Sequence, residues 1–177
     1  PVDYKNDKDF WYNLPANFDV LDACWRQYLW TGNRAYVEDP AFLDFYDLTV
    51  NEYIRAWDMN GDGIPEHRKE YGNRGLGGYD EGLYSDRTLN GADLLAVEAR
   101  AFDSYAEILA LRGDPAAAEP LRRRAAGIRG RFTGDWWSES RRQFADFALE
   151  DGKLVFEDMF WGGVFPLYFG LIPAGER

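Results

Sequence analysis

The chain of 177 residues contains one cysteine, Cys24, one histidine, His67, and only two methionines. A single cysteine cannot close an internal disulfide, and without a Cys/His cluster there is no zinc donor set. The single histidine leaves little for a Ser/His/Asp triad or a His-based metal site, and it is read as an exposed loop residue. No apolar run approaches the roughly 20 residues that span a bilayer. Positive charge is also scarce: 20 Lys and Arg face 31 Asp and Glu, for a net charge of −11. That balance argues against nucleic acid and against membrane as partners. No P-loop or dinucleotide glycine pattern occurs.

Aromatic residues, by contrast, are abundant. Seven Trp, eleven Tyr and twelve Phe exceed what one core of this size needs. The excess suits an aromatic-lined cleft, and sugar rings stack on such walls through their apolar C–H faces. A neutral ligand such as a carbohydrate fits this composition. The length is that of a single domain spanning 1–177, or of part of a larger one.

Apolar spacing of three and four predicts a first helix from about Asn17 to Thr31, through Phe18, Leu21, Cys24, Trp25, Tyr28 and Leu29. Gly32-Asn33 ends it. A second helix is predicted from about Pro40 to Trp57, with Leu43, Tyr46, Val50, Tyr53, Ile54 and Trp57 inward. A third runs from about Gly91 to Leu111, with Leu94, Leu95, Phe102, Tyr105 and Leu109 as its stripe. After the Gly113-Asp114-Pro115 break a fourth reaches about Phe132. Then a β-hairpin is expected, Gln143–Leu149 and Lys153–Phe156 around Asp151-Gly152. The order helix, short turn, helix, long loop occurs twice. With antiparallel neighbours, the short turns gather at one end and the long loops at the other. Trp57, Asp80, Trp136, Trp137 and Trp161 then share one face.

The loop from Trp57 to Asp86, WDMNGDGIPEHRKEYGNRGLGGYDEGLYSD, is far longer than an ordinary connection of roughly 4–6 residues. Its tyrosines and leucines give it side chains with which to pack, so it reads as ordered and functional. Asp80, beside Tyr79 and Tyr84, is its candidate general acid, because desolvation favours a carboxyl's neutral, proton-donating form. The bland alternative is a turn-capping aspartate paired with Arg74 or Arg87. Glu66 is the second candidate acid and Glu81 the third, and the bland reading of each is a solvated or structural carboxylate.

WRQYLWTGN, WDMNGDGIPE, RGLGGYDE, GADLLAVEARAF and RFTGDWWSESRRQFADFALEDGKL resemble, in that order, the six-hairpin (α/α)6-barrel glycoside hydrolases. The branches they most resemble are the processing α-glucosidase and bile-acid β-glucosidase groups. The resemblance implies an all-α toroid of helical hairpins, here incomplete, with a small β-hairpin insertion. It also implies O-glycosidic cleavage of a glucoside or related oligosaccharide, with Asp80 as catalytic acid. Glu81-Gly82 stands where those relatives carry an Asn-Ser pair. A six-hairpin barrel needs about twelve helices, so the resemblance implies that further chain or another subunit supplies the rest, including the second carboxylate.

Sugar-stacking candidates are Trp25, Trp30, Trp57, Tyr79, Trp136, Trp137 and Trp161; Trp25 and Trp57, on helical stripes, are favoured for the core, and Trp136, Trp137 and Trp161, in loops, are the favoured platforms. Arg26 and Gln27 are candidate sugar hydrogen-bonders. Glu98 lies on an apolar helical stripe, where it either faces a barrel interior or, as favoured here, pairs with an arginine. Arg122, Arg123, Arg124, Arg129 and Arg131 read as a solvated face. Asp58, Asn60 and Asp62 alternate as in a calcium loop, but Lys69 occupies the twelfth position, where an EF-hand needs an acid. A helix-ending turn held by Asx side chains is the better reading, with no metal assigned and calcium kept as a candidate ion through Glu66. The competing function is a non-catalytic carbohydrate-binding or helical scaffold module, stabilised by calcium.

Overall fold

The computed structural model describes residues 13–67, 77–79, 88–157 and 162–172. The fold is mainly α, helical hairpins carrying a small antiparallel β insertion. Helix α1 (Pro15–Thr31) opens on a proline, whose missing N–H is not needed in a first turn. It ends at Gly32, where a φ of 67° lets the amide reach back to the Tyr28 carbonyl. Leu29, expected on its inward stripe, is 58% exposed. The connection after it holds α2 (Ala35–Glu38), a single turn too short to show periodicity. Helix α3 (Pro40–Leu48) is capped by Asp39, whose carboxylate accepts the Ala41 amide at 2.9 Å. It runs through a π-helical turn, Thr49–Tyr53, into α4 (Ile54–Trp57). The helix predicted from Pro40 to Trp57 is therefore continuous but carries a wide turn. From that turn the Tyr53 hydroxyl donates to the Leu14 carbonyl at 3.1 Å, tying the rod to the start of α1.

Strand β1 (Thr88–Gly91) leads directly into α5 (Ala92–Leu111), and α6 (Pro115–Asp135) completes the second hairpin. As the sequence suggests, the Asp114 side chain caps α6 by accepting the Ala117 amide, with Pro115 in the first turn. Helix α5 is the centre of the molecule, packed by α1 and α6 and by the short α7 (Val164–Tyr168). The predicted stripe is too narrow for this role. Ala96, Val97, Ala99, Ala101 and Ala106 are buried completely along with Leu94, Leu95 and Phe102, whereas Leu109 is half-buried. Neighbours on several sides remove the polar face, and the alanines let those helices approach closely.

The two short-turn ends meet where Arg112 donates to the Val37 carbonyl at 2.8 Å. At the opposite end the two long loops join through the sheet. The single long strand expected from Gln143 to Leu149 is broken at Ala145-Asp146. Strand β2 (Trp137–Ser138) pairs with β3 (Gln143–Phe144), while β4 (Phe147–Leu149) pairs with β5 (Leu154–Val155). On its other side β4 pairs antiparallel with β1, giving the order β1-β4-β5. Asp146 makes the corner, its carboxylate accepting the Glu157 amide at 2.9 Å and the Gly162 amide at 2.8 Å. Among the described residues no helix is long and apolar enough to cross a membrane.

Candidate functional site

Asp80, Glu81 and Trp161 lie outside the described residues. Gly77, Gly78 and Tyr79, which lead directly to Asp80, are described and sit against β1 and the first turn of α5. The Gly91 amide donates to the Gly77 carbonyl at 2.6 Å, and the Tyr79 amide donates to the Asp93 carboxylate at 2.5 Å. The Tyr79 ring is half-buried and stacks on Phe165 of α7 at 5.3 Å between centroids. Its hydroxyl shares a hydrogen bond with Asp19 of α1. Burial, followed by the charges of Asp19 and Asp93, pushes the phenol well above its ordinary range, so it stays protonated. Burial, followed by Asp22, likewise raises the Asp19 carboxyl. Nothing in the sequence pattern singles out Asp93; an acid in a first helical turn is expected for the helix dipole alone.

The loop after α4 folds on its own carboxylates. Asp58 accepts the amides of Gly61, Asp62 and Gly63 at 2.7, 3.2 and 2.9 Å. Asp62 accepts the Ile64 amide at 2.9 Å and the Arg131 guanidinium at 2.7 Å. Glu66, only 1% exposed, accepts the Met59 amide at 2.6 Å and the Asn60 side-chain amide. Burial raises its carboxyl above the ordinary range against the pull of the Met59 amide, and Asp62 and Asp58 add to the rise. Oxygens of Asp58, Asp62 and Glu66 lie within 4.8 Å of one another, the spacing of a cation site. All six already accept hydrogen bonds, which fits the Asx-turn reading, and Arg131 supplies positive charge.

Several residues stand elsewhere than the sequence implies. His67 is buried, 1% exposed, with its amide donating to the Leu89 carbonyl at 2.9 Å on β1, not exposed as expected. Trp57, 4% exposed, serves the core as its helical stripe favours and not as a sugar platform, whereas Trp136, 5% exposed, is buried against the expectation of a loop platform. Trp136 is buried because α6 extends to Asp135 and carries it onto Phe132, at 5.5 Å. Trp137 is half-buried edge-on to Phe144, and its indole donates to Glu139 at 2.7 Å. Trp30 is 90% exposed. Arg26 is spent on Asp22 at 2.6 Å and on the Tyr168 hydroxyl at 3.1 Å.

Of the arginine run, Arg122 and Arg123 form the expected solvated face, in exposed pairs with Glu107 and Glu119, whereas Arg124, Arg129 and Arg131 fasten elements together. Arg124 donates to the Val50 carbonyl at 2.7 Å and lies 4.1 Å over the Phe102 ring. Arg129 pairs with Asp103 and donates to the Gly170 carbonyl, and Arg131 holds Asp62. Glu98 was expected to pair with an arginine, yet neither of its oxygens has a hydrogen-bond partner among the described residues. Complete burial holds its carboxyl well above the ordinary range; Arg124 and Arg131 pull it down, and Asp62 and Asp58 push it further up. The arginines that could have paired with it are committed to carbonyl and loop oxygens instead.

No family model matches the sequence, and no curated protein matches it. Among solved structures, the chain is similar to a GH78 family rhamnosidase of Bacillus sp. GL1, with a TM-score of 0.69 and 16% sequence identity. The likeness covers 89% of this chain and 16% of the rhamnosidase chain. The chain therefore shares the fold of a segment of that glycoside hydrolase and spans about a sixth of its length.

Proposed function

We propose that the chain is part of a glycoside hydrolase in which Asp80 is the general acid. The observation that carries this reading is the anchoring of Gly77–Tyr79, the segment leading into Asp80, at the end of the helix stack where both long loops join. The fold likeness to part of a rhamnosidase supports the same class. Asp80 protonates the glycosidic oxygen as the C–O bond breaks, and a second carboxylate activates water or attacks the anomeric carbon. Glu66, buried and engaged in its own loop, is the alternative acid. The second carboxylate is assigned to polypeptide beyond these 177 residues. Tyr79, Glu81, Trp137 and Trp161 are the proposed sugar contacts, on a glucoside or related oligosaccharide.

The test is turnover of aryl α- and β-glycosides, glucosides and rhamnosides included, by the longest natural chain containing this segment. Asp80→Asn is expected to lower kcat by about 100-fold or more, with the circular dichroism spectrum unchanged. Full activity in that variant would remove Asp80 from the mechanism. Oligosaccharide binding without turnover of any glycoside would favour a non-catalytic binding module.

A further inference from the structure

We propose that the outer groove between α1 and α3 is the seat of a further helix, amphipathic and basic at its flanks, contributed by polypeptide of the same protein outside residues 1–177. Like the reading above it makes this chain part of a longer protein, but it does not rest on the catalytic role of any residue. Val20 of α1 and Ala41, Phe42 and Phe45 of α3 line the groove, with no polar side chain among them. Each helix already buries one face: Phe18, Leu21 and Cys24 of α1 and Tyr46 of α3 belong to the core. Each then carries a second apolar stripe. On α1 it is Ala16, Val20 and Ala23, and on α3 it is Ala41, Phe45 and Leu48, in both cases residues i, i+4 and i+7. Val20 and Leu48 are 44% and 48% exposed. Trp30, seven residues beyond Ala23 and 90% exposed, prolongs the α1 stripe.

A helix with one apolar stripe needs one neighbour, and a helix with two needs two. At about 3.6 residues per turn Val20 stands opposite Asp22 round α1, and Asp22 is the residue bound by Arg100 and Ser104 of α5. The groove therefore lies on the side of α1 away from α5, where the layer of helices is open among the described residues. Two parallel ridges of i, i+4, i+7 spacing accept a third helix between them, and the alanines at 16, 23 and 41 let its backbone come close. The similar fold in the rhamnosidase occupies 16% of that chain, so there it is set in much more polypeptide. Charge then selects the occupant. Residues 16–24 and 37–49 contain no lysine or arginine, while Glu38, Asp39, Asp44 and Asp47 are all exposed. Glu38 is answered by Arg34. Asp44 and Asp47, beside the α3 stripe, pair with no cation among the described residues. Lysine or arginine flanking the apolar stripe of the incoming helix supplies that charge and fixes its register.

The experiment uses the longest natural chain containing this segment. Hydroxyl-radical footprinting of the unaltered chain compares Trp30 with the core residue Trp57. Covered by the incoming helix, Trp30 is expected to oxidise about tenfold or more slower than an exposed tryptophan, close to the rate of Trp57. A photoreactive phenylalanine analogue in place of Val20 and, separately, of Leu48 then identifies the occupant by mass spectrometry, with Arg123 on the solvated face of α6 as the control position. Cross-links are expected to a segment of the same chain outside residues 1–177, with apolar residues at i, i+4 and i+7 and lysine or arginine beside them. Oxidation of Trp30 at the rate of an exposed tryptophan overturns the proposal, and it does so even if an analogue-bearing chain fails to fold. Cross-links to a second copy, to another protein, to residues 1–177 or to a segment without lysine or arginine overturn it as well. Neither readout involves turnover, so an active Asp80→Asn variant removes the catalytic reading above and leaves this one standing.

Discussion

The acids of the 58–66 loop and the buried acids Asp22, Asp93 and Asp146 all accept N–H groups, but over different distances along the chain. Asp58 takes amides three to five residues ahead, Asp62 one two residues ahead, and Glu66 one seven residues back. Asp93 and Asp146 reach 14 and 16 residues, and Asp22 of α1 reaches Arg100 and Ser104 of α5, 78 and 82 residues away. The first group shapes one loop that hydrogen-bonds mainly to itself. The second group fastens separate elements together, and each of its members is at most 1% exposed. A buried acceptor joined to distant donors carries tertiary structure, so its loss is felt by the whole fold.

Asp22→Ala is the strongest way to sharpen this contrast. The Asp22 carboxylate accepts Arg26 at 2.6 Å, Arg100 at 2.8 Å and the Ser104 hydroxyl at 2.7 Å, at the junction of α1 and α5. Its removal leaves two guanidinium groups without their counter-charge, and a loss of about 3–5 kcal/mol is expected. Urea denaturation followed by circular dichroism measures it. A loss below 1 kcal/mol would show that the pair behaves as a surface pair and that distance along the chain is not what counts.

Glu98 is a third kind of acid, buried and accepting nothing from the described residues, and it should break the rule that buried acids stabilise. Because the folded state raises its pKa, the folded chain keeps a proton that the unfolded chain releases above the ordinary carboxyl value of 4.5. Its contribution to stability is therefore full below that pH and is lost as pH rises through the folded pKa. Glu66, also raised, slopes the same way. Glu98→Met is expected to increase stability at pH 7 by about 1–3 kcal/mol, the cost of an unsatisfied buried group, and to flatten the decline above pH 5. Denaturant midpoints from pH 4 to pH 8 test this. A destabilised variant with an unchanged pH slope would mean that Glu98 is ionised and partnered in solution.

The same difference of range explains what the sequence discloses. Helices α1, α5 and α6 were legible because caps and apolar spacing are local: Pro15 and Gly32, then Asp114 and Pro115, mark ends that the structure keeps. The Asx turn of the 58–66 loop was legible for the same reason. Strand β1 was hidden inside a long loop because its partner, β4, is 56 or more residues away, Gly91 pairing with Phe147. The burial of His67 follows from that strand, whose Leu89 carbonyl takes its amide. Asp93 gave no signal at all, since its neighbours Leu94 and Ala92 say nothing about Tyr79. Side-chain destinations that depend on tertiary contact, such as Trp136 on Phe132, were equally invisible.

The smallest effect is expected in the local loop itself. The Asn60 side chain bridges Asp62, whose amide it accepts at 2.8 Å, and Glu66, to which its amide donates. Asn60→Ala should cost about 1 kcal/mol, because the loop is largely exposed and Asp58 keeps its own three amides. With all six carboxylate oxygens already accepting and Arg131 alongside, neither millimolar calcium nor a chelator should shift the thermal midpoint of the unaltered chain. A cation that bound the folded loop selectively would raise that midpoint with concentration. A midpoint that rose with calcium and fell with chelator, and that lost both responses in Asn60→Ala, would turn this self-bonded loop into a metal-held one. The contrast with Asp22, Asp93 and Asp146 would then lie between acids that hold an ion and acids that hold the chain.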